Sequence, residues 1–275
     1  MTQDLEFLKQ VLSVPTKSRQ EGLMVEFLTN YLKEKNYDFY LDAMSNIYVT
    51  KKTSDDVEYF PCVVSHTDTV HKLDTINVVQ EYLPNSQGEI KLSLKAYNNM
   101  DEPTGIGGDD KCGVFACLSL LEILPNLKVA FFVSEEIGCV GSLKADKTFF
   151  DNVGYAIQFD APENWMVTQY CYGQKLFDEQ SEFFIKCEPN FKEMMPNFVL
   201  ESHPYTDVYS LRKLFDFSCI NFSCGYYQYH TRNEYVVVED LYNSILLGQK
   251  LIESLGNNLY PQERINIYKN SFFEL

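Results

Sequence analysis

The sequence predicts an α/β fold: a three-layer α/β/α sandwich around a mixed, largely parallel central sheet. Three observations lead there. After Pro125, apolar strand-like runs alternate with loops and helical stretches, the pattern that builds parallel sheets through helical crossovers. Runs such as YFPCVVSH (59–66) are apolar nearly throughout, as strands covered on both faces must be. No internal repeat, low-complexity tract or Pro/Gly/Ser-rich linker interrupts the chain, so residues 1–275 are expected to form a single domain.

Taken in order, helical periodicity marks residues 2–14 and about 19–35. Strands follow at YDFYL (37–41) and NIYVT (46–50), then at 59–66 after the polar break KKTSDD. TINVVQEYL (75–83) and EIKLSLKA (89–96) read as a pair around the turn PNSQGE, and TGIGGDDKCG (104–113) as a glycine-rich loop opening a long apolar helix. Strands are expected at LKVAFFV (127–133), VGYAIQFD (153–160), MVTQYCYG (166–173) and DFSCINFS (216–223). Helices are expected near 178–187, from about 207, and at 239–255.

The chain carries 39 acidic against 23 basic side chains, a formal charge of −16, with no block of like charge. That balance excludes nucleic-acid or anionic-membrane partners bound through phosphate contacts. The N-terminal 15 residues lack the basic start and apolar core of a signal peptide, and no apolar run approaches membrane-spanning length. Eight scattered cysteines without a CxxC pair read as reduced core residues of a cytoplasmic protein.

Three apolar strands stop at potential ligands: His66, the pair Glu135 and Glu136, and Asp160. In open α/β sheets the ligand crevice lies beyond the carboxyl ends of the strands, so these side chains are placed to converge. In the glycine loop, Asp109 and Asp110 stand where the helix begins. A phosphate loop would need GxxxxGK[ST], and two carboxylates there would repel an anion; N-capping explains one aspartate well and a pair poorly. His230 lies in a polar loop between a strand and a helix. Two histidines with several carboxylates form a nitrogen and oxygen set that suits Zn²⁺, with Mn²⁺ or Co²⁺ as alternatives.

SHTDTV, GIGGDDKCG, VSEEIG, QFD and YHTRNE stand in an order and at a spacing that resemble the co-catalytic di-zinc exopeptidases, which include peptidase T, the glutamate carboxypeptidases and aminoacylase-1. The resemblance covers most of residues 1–160 and 203–255. It implies two divalent metal ions, His66 and Asp160 on one, Glu136 and His230 on the other, and Asp109 bridging them. It implies that Asp68 orients His66 through the far ring nitrogen, that Glu135 is the general base of a hydroxide held between the metals, and that Asp110 supports the bridge from behind.

Long members of that family insert a lid or dimerisation domain of well over a hundred residues before the last histidine. Here Asp160 and His230 are only 70 positions apart, so the insert is expected to shrink to a short excursion around 174–205. The resemblance then implies an exopeptidase acting on short peptides, aminopeptidase favoured, with carboxypeptidase or N-acyl amino acid deacylase as alternatives. A non-catalytic peptide-binding protein of the same fold is the alternative from another class. His203, Arg232 and Asn233 are candidate substrate contacts. His71 reads as solvated, Lys111 as pairing with nearby carboxylates, and tyrosines 226, 227 and 229 as core or rim packing. The sequence leaves the oligomeric state open.

Overall fold

The computed structural model describes residues 5–54, 56–72, 75–203 and 205–265. The chain runs α1 (Leu5–Ser13), α2 (Gly22–Glu34), β1 (Asp38–Leu41), β2 (Ile47–Lys51), β3 (Phe60–His66), β4 (Asn77–Pro84), β5 (Ile90–Tyr97), α3 (Gly108–Ile123) and β6 (Leu127–Phe132). It continues with α4 (Lys147–Phe150), β7 (Val153–Ala161), β8 (Met166–Cys171), β9 (Gln174–Lys175), α5 (Glu182–Met194) and β10 (Val199–His203). The last elements are α6 (Asp207–Leu214), β11 (Ser218–Ser223), β12 (Tyr226–Tyr227), β13 (Tyr235–Val237) and α7 (Val238–Leu255). Residues 2–4 of the expected first helix lie outside the described residues.

The main sheet has the order β1-β2-β6-β3-β7-β11-β8-β10, with β9 paired to β8. Its centre, β6-β3-β7-β11, is parallel, and antiparallel pairs flank it, so the sheet is mixed as expected. Every residue of β3, β6, β7 and β11 is buried, which is why these strands read as continuous apolar runs. Neighbouring residues of β7 show the two helical layers. The Phe159 ring fills the space beside Gly248 of α7, whereas the Gln158 amide oxygen accepts hydrogen bonds from the Thr206 hydroxyl and the Val208 N–H at the start of α6. Successive strand side chains point to opposite faces, so α7 and α6 cover opposite sides of the sheet.

β3 sits between β6 and β7, the strands that follow it in the parallel block. Connections leaving β3 and β6 therefore diverge, opening a crevice at the carboxyl ends of these strands. A second, four-stranded antiparallel sheet, β12-β13-β5-β4, was only half expected: the β4–β5 hairpin reads from the sequence, but β12 and β13 are two and three residues long. The stretch expected as an excursion, 174–205, folds as β9, α5 and β10. β10 pairs with β8 in parallel, and α5 packs on α7.

Arg212 ties the far edge together. It is 1% exposed and donates to five carbonyls, those of Leu176, Phe215, Phe217, Gln262 and Glu263. Three of these acceptors, on Leu176, Phe215 and Phe217, are buried and need a donor that the guanidinium supplies. Arg212→Met keeps most of the volume but removes the donor to the buried Leu176, Phe215 and Phe217 carbonyls. It is expected to cost about 3 kcal/mol of unfolding free energy in urea titrations, where a surface substitution would cost less than about 0.5.

Candidate active site

His66 ends β3 and is buried. Its Nδ1 lies 3.0 Å from the Asp68 carbonyl oxygen and 3.5 Å from Asp68 Oδ1. Both partners only accept, so Nδ1 carries a proton. The expected orienter is thus Asp68, acting through its main-chain carbonyl as well as its carboxylate. Nε2 faces Asp109 Oδ1 at 3.2 Å, Asp160 Oδ1 at 3.7 Å and Glu135 Oε2 at 3.9 Å.

His230, in the loop between β12 and β13, brings its Nε2 to 3.2 Å from Asp109 Oδ2 and 3.0 Å from Glu136 Oε2. Asp109 therefore reaches both imidazoles, one through each carboxylate oxygen. Two groups of ligand atoms cluster within 4.8 Å of one another: His66, Asp109 and Glu136, and His66, Asp110 and Asp160.

The Asp68 carboxylate does more than orient His66. It accepts from the Glu135 N–H at 2.9 Å, the Glu136 N–H at 3.3 Å and the Ser18 hydroxyl at 2.7 Å, so one side chain holds both the imidazole and the paired glutamates. Glu21 accepts from the N–H and hydroxyl of Ser134 just before them. Asp160 is fixed by Asn221, whose amide oxygen accepts from the Asp160 N–H and whose nitrogen donates to its carbonyl, and by Gln158 Nε2 on Oδ2. Asp110 accepts from the Ser65 hydroxyl and from the N–H groups of His66 and Gly113. A β-carbon at residue 113 would lie 2.3 Å from Asp110 Oδ1, so glycine is required there.

The glycine loop is held from across the chain. The buried Glu234 carboxylate accepts from the N–H groups of Gly107 at 2.9 Å and Asp109 at 3.1 Å, and meets His71 Nε2 at 2.5 Å. His71, expected to be solvated, is instead this partner, because the ring packs over Gly105, where a β-carbon would collide with it. Lys111 forms no ion pair with a carboxylate among the described residues. It is buried and donates to the Leu12 carbonyl at the end of α1, and burial lowers its pKa to about 7.

Of the tyrosines, Tyr226 is buried with its hydroxyl 3.4 Å from Asp160 Oδ1, Tyr227 donates to Asp240, and Tyr229 packs against the His230 ring. His203 meets the Tyr205 carbonyl through Nδ1. Arg232 and Asn233 are exposed on the His230 loop; Asn233 accepts from Lys95. With Lys72, His71 and Asn98, Arg232 and His230 line a cleft of about 530 Å³. Asp207, to which the sequence assigned no role of its own, is fully buried near Glu135, with no hydrogen-bond partner on either oxygen among the described residues.

Electrostatics test whether this set fits a cation. Burial pushes Glu135 and Asp160 well above the usual carboxylate range, and Asp110 likewise; Asp207 is raised to about 6. Burial also works to lower His66, but Asp109, Asp160 and Asp68 outweigh it and hold the imidazolium. Asp109 and Glu136 raise His230 to about 10. The protonated Nδ1 of His66 leaves Nε2 as an acceptor facing carboxylate acceptors unless a proton or a cation lies between. Glu136 Oε1 is buried without a partner among the described residues. Two histidines, oxygen ligands and surplus negative charge fit divalent cations of the Zn²⁺ class.

Two outcomes follow for cation binding. His230 is raised to about 10, so it is protonated at pH 7, whereas a ligating imidazole is neutral. Zn²⁺ uptake near neutral pH should release about one proton or more per chain and strengthen as pH rises, read by calorimetry in buffers of different ionisation enthalpy; uptake without proton release would contradict it. Glu234→Ala frees the loop carrying Asp109 and is expected to weaken Zn²⁺ affinity by about 10 to 100-fold while circular dichroism stays native.

No protein-family model and no curated protein matches the chain. Solved structures do. Aminopeptidase PepT from Bacillus cereus superposes with a TM-score of 0.75 at 13% identity, covering 91% of this chain and 97% of that one. A tripeptidase from Staphylococcus aureus gives 0.73 at 12%, covering 90% and 96%. A protein described as an endoglucanase from Thermotoga maritima gives 0.57 at 15%, covering 90% and 99%. What is shared at such identities is the fold, a mixed α/β architecture with a largely parallel central sheet.

Proposed function

We propose that the chain is a metal-dependent exopeptidase that hydrolyses amide bonds of short peptides, with removal of N-terminal residues as the favoured activity. The observation that carries this reading is Asp109, whose two oxygens each lie 3.2 Å from a different imidazole, with Asp160 and Glu135 beside the His66 ring and Glu136 beside the His230 ring. His66 and Asp160 would hold one ion, Glu136 and His230 the other, and Asp109 both. Such ions, when bound, supply Lewis acidity that polarises an amide carbonyl and makes a water acidic near neutral pH.

The side chains do the rest. Glu135 takes the proton of the attacking water and returns it to the leaving amine, a double task that suits a carboxyl whose burial raises it toward working pH. Asp68 keeps His66 in the tautomer that leaves Nε2 free and holds the Glu135 main chain, so base and ligand are set by one residue. Asp110 fixes the end of β3 through the His66 N–H. His203, Arg232 and Asn233 contact the substrate, Arg232 at the cleft it shares with His230.

The histidines decide against glycoside hydrolysis, whose usual chemistry needs two carboxylates and no imidazole pair. Carboxypeptidase or N-acyl amino acid deacylase action uses the same central groups and is the second reading, favoured by the exposed Arg232 guanidinium in that cleft, which suits a substrate carboxylate. We take residues 1–275 as one catalytic unit, and the eight buried free cysteines suit a reducing compartment such as the cytoplasm.

The deciding experiment loads the protein with Zn²⁺, Mn²⁺ or Co²⁺ and offers free-amino di- and tripeptides beside N-blocked peptides and N-acetyl amino acids. Release of N-terminal residues is expected; cleavage of blocked substrates alone would transfer the assignment to the second reading, and no hydrolysis under any loading would leave a binding protein. Glu135→Ala should lower turnover by about 10² to 10⁴-fold at unchanged metal content.

A further inference from the structure

The turn that carries Glu135 and Glu136 also returns a thiol to them. The N–H groups of Gly138 and Cys139 both donate to the Glu135 carbonyl at 2.8 Å. Val140 N–H donates to Ser134 O at 3.0 Å, and Gly141 N–H to Val133 O at 3.0 Å. Cys139 closes this reversal with φ at 53°, a left-handed conformation that costs a residue with a β-carbon free energy and that concentrates at working sites. The result is that Cys139 Sγ lies 3.2 Å from Glu135 Oε1, with the cysteine 3% exposed.

Among the described residues no other donor reaches the Glu135 carboxylate. Its second oxygen, Oε2, faces His66 Nε2 at 3.9 Å, on the side of the paired imidazoles. Burial pushes the Cys139 thiol far above its ordinary value, so it keeps its proton and acts as a donor. A thiol is a weak donor, able to fix the direction of a carboxylate with little effect on its charge. The other seven cysteines have no such partner: they are buried and free, and no hydrogen bond joins any of them to a candidate site carboxylate among the described residues.

We infer that Cys139 is a positioning residue: its thiol holds Oε1 of Glu135, so that Oε2 is the oxygen presented to the attacking water. The inference rests on Glu135 being the base of the proposed peptidase. It adds that the base is aimed by a sulfur ligand from its own turn.

The test compares metal-loaded wild type, Cys139→Ala and Cys139→Ser on one peptide substrate. Cys139→Ala is expected to lower kcat about tenfold with KM and metal content unchanged, and Cys139→Ser to recover most of the loss. Wild-type kcat in Cys139→Ala would overturn the inference, as would equal losses in both variants accompanied by lost metal. An infrared difference spectrum, wild type minus Cys139→Ala, isolates the S–H stretch of this thiol without any need for turnover. A band lowered in frequency and shifted by Glu135→Ala supports the contact, and a band at the unbonded position overturns it. A wild type that hydrolyses nothing yet keeps the lowered band would sink the peptidase reading and leave the thiol contact standing.

Discussion

Mutual repulsion among carboxylates is the constraint around which this molecule is arranged. Asp68, Asp109, Asp110, Glu135, Glu136, Asp160 and Asp207 gather at the carboxyl ends of β3, β6 and β7 with two imidazoles among them. Burial alone would drive most of them to the neutral form. The fold answers with main-chain donors: Asp68 takes the N–H groups of Glu135 and Glu136, and Asp110 takes that of His66 and, from its own helix, that of Gly113. Carboxylates that do not face the crevice thus hold the backbone of those that do.

Much of this was legible because it is local. The HxD spacing of His66 and Asp68, the paired glutamates after an apolar strand, and Asp160 at the end of another follow from strand geometry and the rule that crevices open at strand ends. What was missed depends on long-range contacts. Glu234 reaches Gly107 and Asp109 from 127 and 125 residues away, and nothing in the string YHTRNE distinguishes it from a surface acid. His71 was read as solvated because its partner is 163 residues distant. β12 and β13 are too short to carry an alternating pattern, and β10 follows a helix that begins and ends later than its periodicity suggested.

The small second sheet is more than a surface hairpin. β5 runs toward the glycine loop that bears Asp109, and β12 and β13 flank the loop that bears His230; β13 pairs with β5 across Val236 and Leu94. Its hydrogen bonds therefore help to set the distance between Asp109 and His230, whose side chains meet at 3.2 Å. The main sheet positions His66, Glu136 and Asp160 in the same manner. Two sheets of different topology meet at one centre, and Glu234 joins them.

That division of labour has a temporal side. A chain made from its N-terminus has four of the five candidate ligands once residue 160 has emerged, but Asn221, which pins the Asp160 main chain, follows 61 residues later, and His230 comes after that. Until β11 arrives, the edge of β7 that it will occupy is bare. A growing polypeptide thus holds four candidate ligands before it holds Asn221 and Glu234, which fix two of them, and the finished centre is a mark that translation has reached the last strands.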